Sequence, residues 1–357
     1  MTPIPLFRPV GFNLGGWISQ SDLSDARTRS FIRKEDLRTI AAWGFNSVRL
    51  PVDAPWLFED EGRGPLNKKR LALLKKFLGW AREAGLMTIL DLHQVPWHSF
   101  ARPEQEDLWK DEKALDAFCG LWAELAHALK RQKGGLWFDV LNEPTAKDPQ
   151  DWNHVASRIY RVLRMEDPKR TLMIESTFWG LVTNLPALAE AVQGPNLVYS
   201  FHFYIPMFVT HQGTPWWKDG HPYPETVAYP GALPRVQEYL ARDLPPVTRE
   251  FLAFEGAKPW DRERLRETLQ PAIRLVKEGH PVYCGEFGVY EQVARSTRLN
   301  WVRDVVGLFT EHGIGWGYWN YKWLDFGIWP PAANGKSGPL DEEMLRILQS
   351  GITPGKT

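Results

Sequence analysis

Eight short apolar runs alternate with amphipathic stretches from one end of the chain to the other, and no other feature restricts the fold so strongly. The runs are Val10–Leu14, Ser47–Pro51, Met87–His93, Leu136–Asn142, Thr171–Ser176, Leu197–Tyr204, Val282–Phe287 and Gly315–Asn320. Most read as continuous apolar segments, the pattern of parallel strands buried on both faces. Between them, apolar residues recur at i, i+3 and i+4, predicting helices at Lys34–Trp43, Lys68–Ala84, Glu112–Arg131, Trp152–Met165, Arg262–Glu278 and Thr297–His312. A glycine follows most of these runs (Gly44, Gly85, Gly134, Gly279, Gly313), where a helix needs a left-handed residue to stop. Eight β/α units predict an α/β fold, a single (β/α)8 TIM barrel. A doubly wound sheet is the competing topology, but no Gly-x-Gly-x-x-Gly follows the first strand. No repeat or break in composition divides the chain, so one domain is expected over residues 1–357.

The regular spacing fails once. After the sixth strand, residues 205–261 form an enlarged connection rich in proline and aromatic side chains, with one short helix expected at Leu233–Ala241. Long connections are uncommon unless they carry function or structure of their own. This one would form either a wall beside a binding cleft or a lid plugging the barrel mouth. The aromatics belong to a wider excess: 18 Trp, and 13% Phe, Trp and Tyr together. Flat apolar rings are what sugar faces stack against, although core packing also absorbs indoles.

Charge narrows the partners. Lys+Arg and Asp+Glu both total 43, which offers no basic excess to a phosphate backbone, and no nucleic-acid partner is expected. No apolar run approaches the roughly 20 residues of a membrane helix, so no membrane partner is expected either. Cys119 and Cys284 are too few for a disulfide framework and read as buried thiols. The first residues lack the charged and apolar regions of a secretory signal, compatible with an intracellular protein or a secreted one in mature form.

In a barrel of this kind, reacting groups come from the C-terminal strand ends. Those ends read Val48-Arg49-Leu50-Pro51, Asp91-Leu92-His93-Gln94, Asn142-Glu143-Pro144, His202-Phe203-Tyr204, Gly285-Glu286-Phe287-Gly288 and Tyr318-Trp319-Asn320. A lone Glu at a strand end more often caps a loop, and a lone His is more often a satisfied buried imidazole. Their concurrence on one rim overturns both readings, because burying so many polar groups without mutual service costs several kcal/mol. Glu143 and Glu286 would stand across one mouth, and paired carboxylates of unequal protonation are what acetal hydrolysis needs. Arg49 supplies a permanent charge able to keep one of them anionic, Tyr204 a hydrogen bond to the same group, and Asn142 a grip on a sugar hydroxyl.

These motifs, in this order, resemble glycoside hydrolase family 5, the cellulase family of retaining barrel glycosidases, over essentially the whole chain. The most specific pieces are Phe138-Asp139-Val140-Leu141-Asn142-Glu143-Pro144 and Gly285-Glu286-Phe287-Gly288. The resemblance implies Glu143 as acid/base and Glu286 as nucleophile, with Arg49 and Tyr204 aligning the nucleophile and His202 beside the acid/base. It also implies His93 and Asn142 as sugar ligands at the cleaved-bond subsite, and Trp319 as its stacking platform. Gly15-Gly16-Trp17 and Phe208-Val209-Thr210-His211-Gln212-Gly213 are similar to members acting on β-glucans. Double displacement with retention follows, with carboxyl groups about 5–5.5 Å apart, against about 6.5–9.5 Å for inversion.

Further platform rings are expected among Trp17, Trp97, Phe100, Trp179, Trp216, Trp217, Trp260, Trp323 and Trp329. In line along an open groove they suit an endo-acting β-1,4-glucanase; a pocket closed by the long connection and the Trp323–Trp329 loop suits exo action on short oligosaccharides, as a β-glucosidase. β-Mannan is a further option. A metal-dependent hydrolase would use clustered histidines, but the nine present, His98, His211 and His221 among them, form no His-x-His pair on the first strand and no His-Glu-x-x-His helix. A non-catalytic sugar-binding protein could have discarded one carboxylate, and both are present. A β-linked oligo- or polysaccharide substrate, no metal, no cofactor and a monomeric state are therefore expected.

Overall fold

The computed structural model describes residues 8–132, 134–332 and 337–352; the residues read for a secretory signal lie mostly outside that set. Eight parallel strands close into a barrel in sequence order: β1 (Val10–Asn13), β2 (Ser47–Asp53), β3 (Met87–Gln94), β4 (Leu136–Asp139), β5 (Leu172–Glu175), β6 (Leu197–Phe203), β7 (Val282–Phe287) and β8 (Gly315–Tyr318). The ring shuts where β8 pairs with β1, Gly317 opposite Gly11. The fold is the (β/α)8 barrel that the alternation predicts.

Local chemistry sets the helices between strands. Lys34–Ala42, Lys68–Glu83, Glu112–Leu129, Pro149–Glu166 and Arg295–Glu311 bury one apolar stripe each against the sheet. Asn67, Asp111 and Asp148 cap helix starts by accepting a backbone N–H of the first turn. The expected stops at Gly44, Gly85, Gly134, Gly279 and Gly313 all have positive φ, between 70° and 93°. One expectation needs correcting. Arg262–Glu278 is not a single helix but two, Arg262–Thr268 and Gln270–Lys277, because Pro271 lacks the N–H and clashes with the preceding turn.

The interior divides into two kinds of packing. Helices and outward strand residues share one extensive apolar core. Inside the barrel, Met87, Ile89, Met173, Val198 and Tyr283 form a separate apolar plug at the N-terminal half. Above that plug the inward residues turn polar, and Asn13, Arg49, Asp91, Asp139, Glu175, His202 and Glu286 are all buried. Residues 205–261 carry Met207–Thr210, Val236–Leu240 and Pro246–Glu255 as short helices. Val236–Leu240 falls within the predicted Leu233–Ala241. Pro246–Glu255 is not predicted from the sequence, since two adjacent prolines read as loop although proline is well suited to a first helical turn.

Candidate active site

Arg49 organises the polar layer. Its Nε lies 2.8 Å from Asp139 Oδ2, its Nη2 3.0 Å from Asp91 Oδ2, and its Nη1 2.8 Å from Glu286 Oε1. It also donates to Asn13 Oδ1 and Asn142 Oδ1. Burial disfavours the guanidinium charge, but Asp91, Asp139, Glu286 and Glu175 together outweigh it and raise the Arg49 pKa well above its ordinary value. Asp139 yields instead: burial, with Asp91 and Glu175, holds its carboxyl well above the usual range against the pull of Arg49.

Glu286 receives a second hand from Tyr204, whose hydroxyl donates to Oε2 at 3.0 Å. Burial alone would push its carboxyl up. His202, Arg49, His93 and the Tyr204 bond overcome that and hold it below the ordinary glutamate value. The sheet itself aims this residue. Between Phe201/Cys284 and His202/Glu286 the β6–β7 register shifts by one, leaving Gly285 as an extra residue. A Cβ on Gly285 would stand 2.8 Å from His202 Nε2, so only glycine fits that kink.

Glu143 follows β4 in the left-handed region, φ 45°. Non-glycine residues hold that conformation only where neighbours over-determine it. Here His98 Nε2 donates to the Glu143 carbonyl at 3.0 Å and the Glu143 N–H donates to Glu175 Oε1 at 3.2 Å. Burial drives the His98 pKa down to about 4, which keeps that ring neutral. The Glu143 side chain meets His202 Nδ1 at 2.9 Å, while His202 Nε2 lies 3.1 Å from Glu175 Oε2. Burial lowers the His202 pKa, yet Glu175, Glu286 and Glu143 reverse that and raise it well above the ordinary value. Those carboxylates thus favour the charged form of His202, whose Nδ1 is one hydrogen bond from Glu143. One donor atom each of Glu143, His202 and Glu286 lie within 4.8 Å of one another. That spacing could also accept a metal ion; it puts one oxygen of each carboxylate close enough to the other for both to act on one bond.

A protein-family model described as Cellulase (glycosyl hydrolase family 5) matches residues 12–323. The chain belongs to glycosyl hydrolase family 5. As a member of that family it is an O-glycosyl hydrolase. Among its relatives, Endoglucanase C of Acetivibrio thermocellus is 33% identical over 341 residues, covering 95% of this chain and 97% of the relative. Cellodextrinase A of Ruminococcus flavefaciens is 29% identical over 307 residues, 85% and 82% of the two chains. A solved structure titled as a glycoside hydrolase superposes with a TM-score of 0.77 at 26% identity, covering 97% of this chain and 100% of its own.

Of the residues that the family resemblance singles out, Arg49, His93, Asn142, Glu143, His202, Tyr204, Glu286 and Trp319 gather at this mouth. His93 is fixed by Asp91 through Nδ1 at 2.7 Å, and its ring lies parallel to that of Trp319, 4° apart with centroids at 5.8 Å. The Trp319 edge abuts Gly15, where a Cβ would come within 2.6 Å. Asn320 then ties β8 to Gly15 through both amide atoms.

The other indoles separate by burial. Trp17 is only 5% exposed, donates to the Thr28 carbonyl and packs on Phe77; Trp260 is fully buried. Both sit in the core and not at the rim. Trp216 is 46% exposed beside Tyr290 and Phe326. Trp217 is half-buried on Phe208 and Phe251, and Trp97 is half-buried with Arg63 over its ring. Trp323 lies against Phe31 with Arg27 over its ring, on a cavity of about 840 Å³ also lined by Asp36 and Lys322. Phe100 meets His93, its carbonyl accepts from Trp179 Nε1, and Trp329 stacks on Trp43. Glu175, absent from the strand ends that the sequence brings forward, ends β5 and joins this cluster through His202 and the Glu143 N–H.

Proposed function

We propose that the whole 357-residue chain acts as one catalytic barrel cleaving internal β-1,4 bonds of β-glucan with retention of anomeric configuration. Glu286, ionised by Arg49 and aligned by Tyr204, attacks the anomeric carbon. Glu143 protonates the departing oxygen, and the bond between sugar and leaving group breaks as the glycosyl ester to Glu286 forms. Glu143 then removes a proton from water, which attacks the ester and releases Glu286. His202, whose charged form is favoured by the surrounding carboxylates, stands beside Glu143 with Nδ1 at 2.9 Å to hydrogen-bond its carboxyl through the cycle. Asn142 has its Oδ1 committed to Arg49, so its NH2 is the part that meets a sugar hydroxyl. Trp319, held flat by His93, provides the platform under that sugar.

The observation that carries this reading is the approach of the two carboxylates, one atom of each and of His202 lying within 4.8 Å of one another, with Glu286 held by Arg49 and Tyr204 and Glu143 in contact with His202. The relatives' names favour glucan chains. The Trp323 cavity, four residues along the chain from Trp319, offers distal sugars a surface beyond the cleaved bond. The test is a product profile on cello-, manno- and laminari-oligosaccharides, with proton NMR of the first-formed anomer. Internal cleavage of cello-oligosaccharides giving the β-anomer is expected. An α-anomer first would refute double displacement, and stepwise release of single glucose or preference for manno-oligosaccharides would refute the substrate assignment.

A further inference from the structure

Residues 205–261 depart from the barrel immediately after Tyr204, the phenol that holds Glu286. What fixes the first turn of that excursion therefore governs where the phenol stands. The Thr210 hydroxyl donates to the Tyr204 carbonyl, Trp301 Nε1 donates to the Ile205 carbonyl at 3.2 Å, and His211 packs edge-on against the Tyr204 ring at 5.0 Å. Each of these holds on the 205–211 turn. The turn is held in its place by one carboxylate from the far end of the same excursion. Glu255, the last residue of the helix Pro246–Glu255, accepts the Met207 N–H on Oε1 at 2.6 Å and the Phe208 N–H on Oε2 at 3.0 Å.

Glu255 is fully buried. A buried carboxylate is costly unless its oxygens are satisfied, and among the described residues those two backbone donors satisfy this one. Its own backbone is locked as well. The Glu255 carbonyl accepts from Trp260 Nε1 at 2.8 Å and from Arg264 Nη1 at 3.0 Å, with the Arg264 guanidinium lying over the Trp260 ring. Nothing in the chemistry of acetal cleavage uses this group, yet it joins both ends of the excursion at a point three residues from Tyr204.

We infer that Glu255 is a positioning residue, which sets the 207–210 turn and through it the contact between Tyr204 and Glu286. The inference rests on Glu286 being the nucleophile. Ionisation matters because two N–H donors converge on the carboxylate: the anion accepts both strongly, whereas the acid turns one oxygen into a hydroxyl, which is the weaker acceptor and must place its own proton. Burial pushes the Glu255 carboxyl up to about 7, with the Phe208 and Met207 N–H groups and Arg264 opposing; Arg264 is the charged group that acts on it among the described residues. The tighter turn thus belongs to the alkaline side of neutrality.

Glu255→Gln keeps the shape and sets an amide NH2 against one of the two N–H donors. With an aryl β-cellobioside as substrate, we expect kcat to fall about tenfold with KM changed less than twofold, and to lose any step near pH 7 present in the parent. In a Tyr204→Phe background the same substitution should cost less than twofold, because the group through which it acts is gone. Full activity of Glu255→Gln, or an equal factor in both backgrounds, would overturn the inference. Loss of the Tyr204→Phe effect itself would instead indict the nucleophile assignment. Should Glu255→Gln fail to fold, the backbone 15N shifts of Met207 and Phe208 in the parent decide: a common titration near pH 7, matched by a step in kcat, is expected. Shifts that titrate with no step in kcat would refute the role.

Discussion

Replacing Tyr204 by Phe isolates one contact of the candidate nucleophile. The ring keeps its packing on His211 and Phe326, and only the hydroxyl, 3.0 Å from Glu286 Oε2, is removed. That bond favours the charged form of Glu286, along with His202, Arg49 and His93, against the burial that opposes it. A hydrogen bond to an ionised group contributes about 1.5–3 kcal/mol. At about 1.4 kcal/mol per pKa unit, its loss should raise the Glu286 pKa by about 1–2 units. Tyr204 is half-buried, so water recovers part of the bond and the lower end is expected. Glu286 must be ionised to attack; the acidic limb of kcat/KM against pH should therefore move upward by about 1 unit. The assay is a pH series on an aryl β-cellobioside with burst kinetics to confirm that glycosylation is being read. An acidic limb that stays in place, or moves downward, would refute the reasoning.

Three further outcomes follow from the same geometry. Arg49→Met removes the counter-charge of three buried acidic groups, Asp91, Asp139 and Glu286, and should destabilise the fold by about 3–5 kcal/mol, read as a lowered denaturation midpoint; an unchanged midpoint would contradict a charged core. Glu175→Gln deletes the leading charge that raises the His202 pKa, so His202 should deprotonate at lower pH and the alkaline limb of kcat/KM should shift toward acid. Trp17→Ala should cost about 3–5 kcal/mol of stability through the cavity it leaves, whereas Trp216→Ala should leave stability nearly unchanged and raise KM on longer cello-oligosaccharides. Equal thermal losses from the two would show that exposure does not separate their roles.

The sequence makes the barrel and the catalytic rim readable for the same reason. Strands buried on both faces must be apolar, so a polar residue at the C-terminal end of an apolar run marks the mouth. That is how Arg49, His93, Glu143, His202 and Glu286 come into view without any contact being known. Less visible is what happens beneath the rim. Asp91 and Asp139 lie within apolar runs, and their pairing with Arg49 depends on the register between β2, β3 and β4. Glu175 ends a four-residue strand whose last residue looks like any helix-capping acid. The indoles are the least legible, because a large amphipathic ring is equally suited to a core and to a sugar-facing wall. Trp17 and Trp216 differ only in what folds over them.

The single-residue skip at Gly285 sets a limit on how this molecule can change over generations. Side chains of a strand alternate faces, so adding or deleting one residue in β6 or β7 would swing His202 or Glu286 out of the mouth at a stroke. Connections that hold none of the rim residues carry no such phase. Length changes in those outer connections would alter the surface a sugar meets and leave the mouth intact, whereas the spacing from Phe201 to Tyr204 and from Cys284 to Phe287 tolerates none.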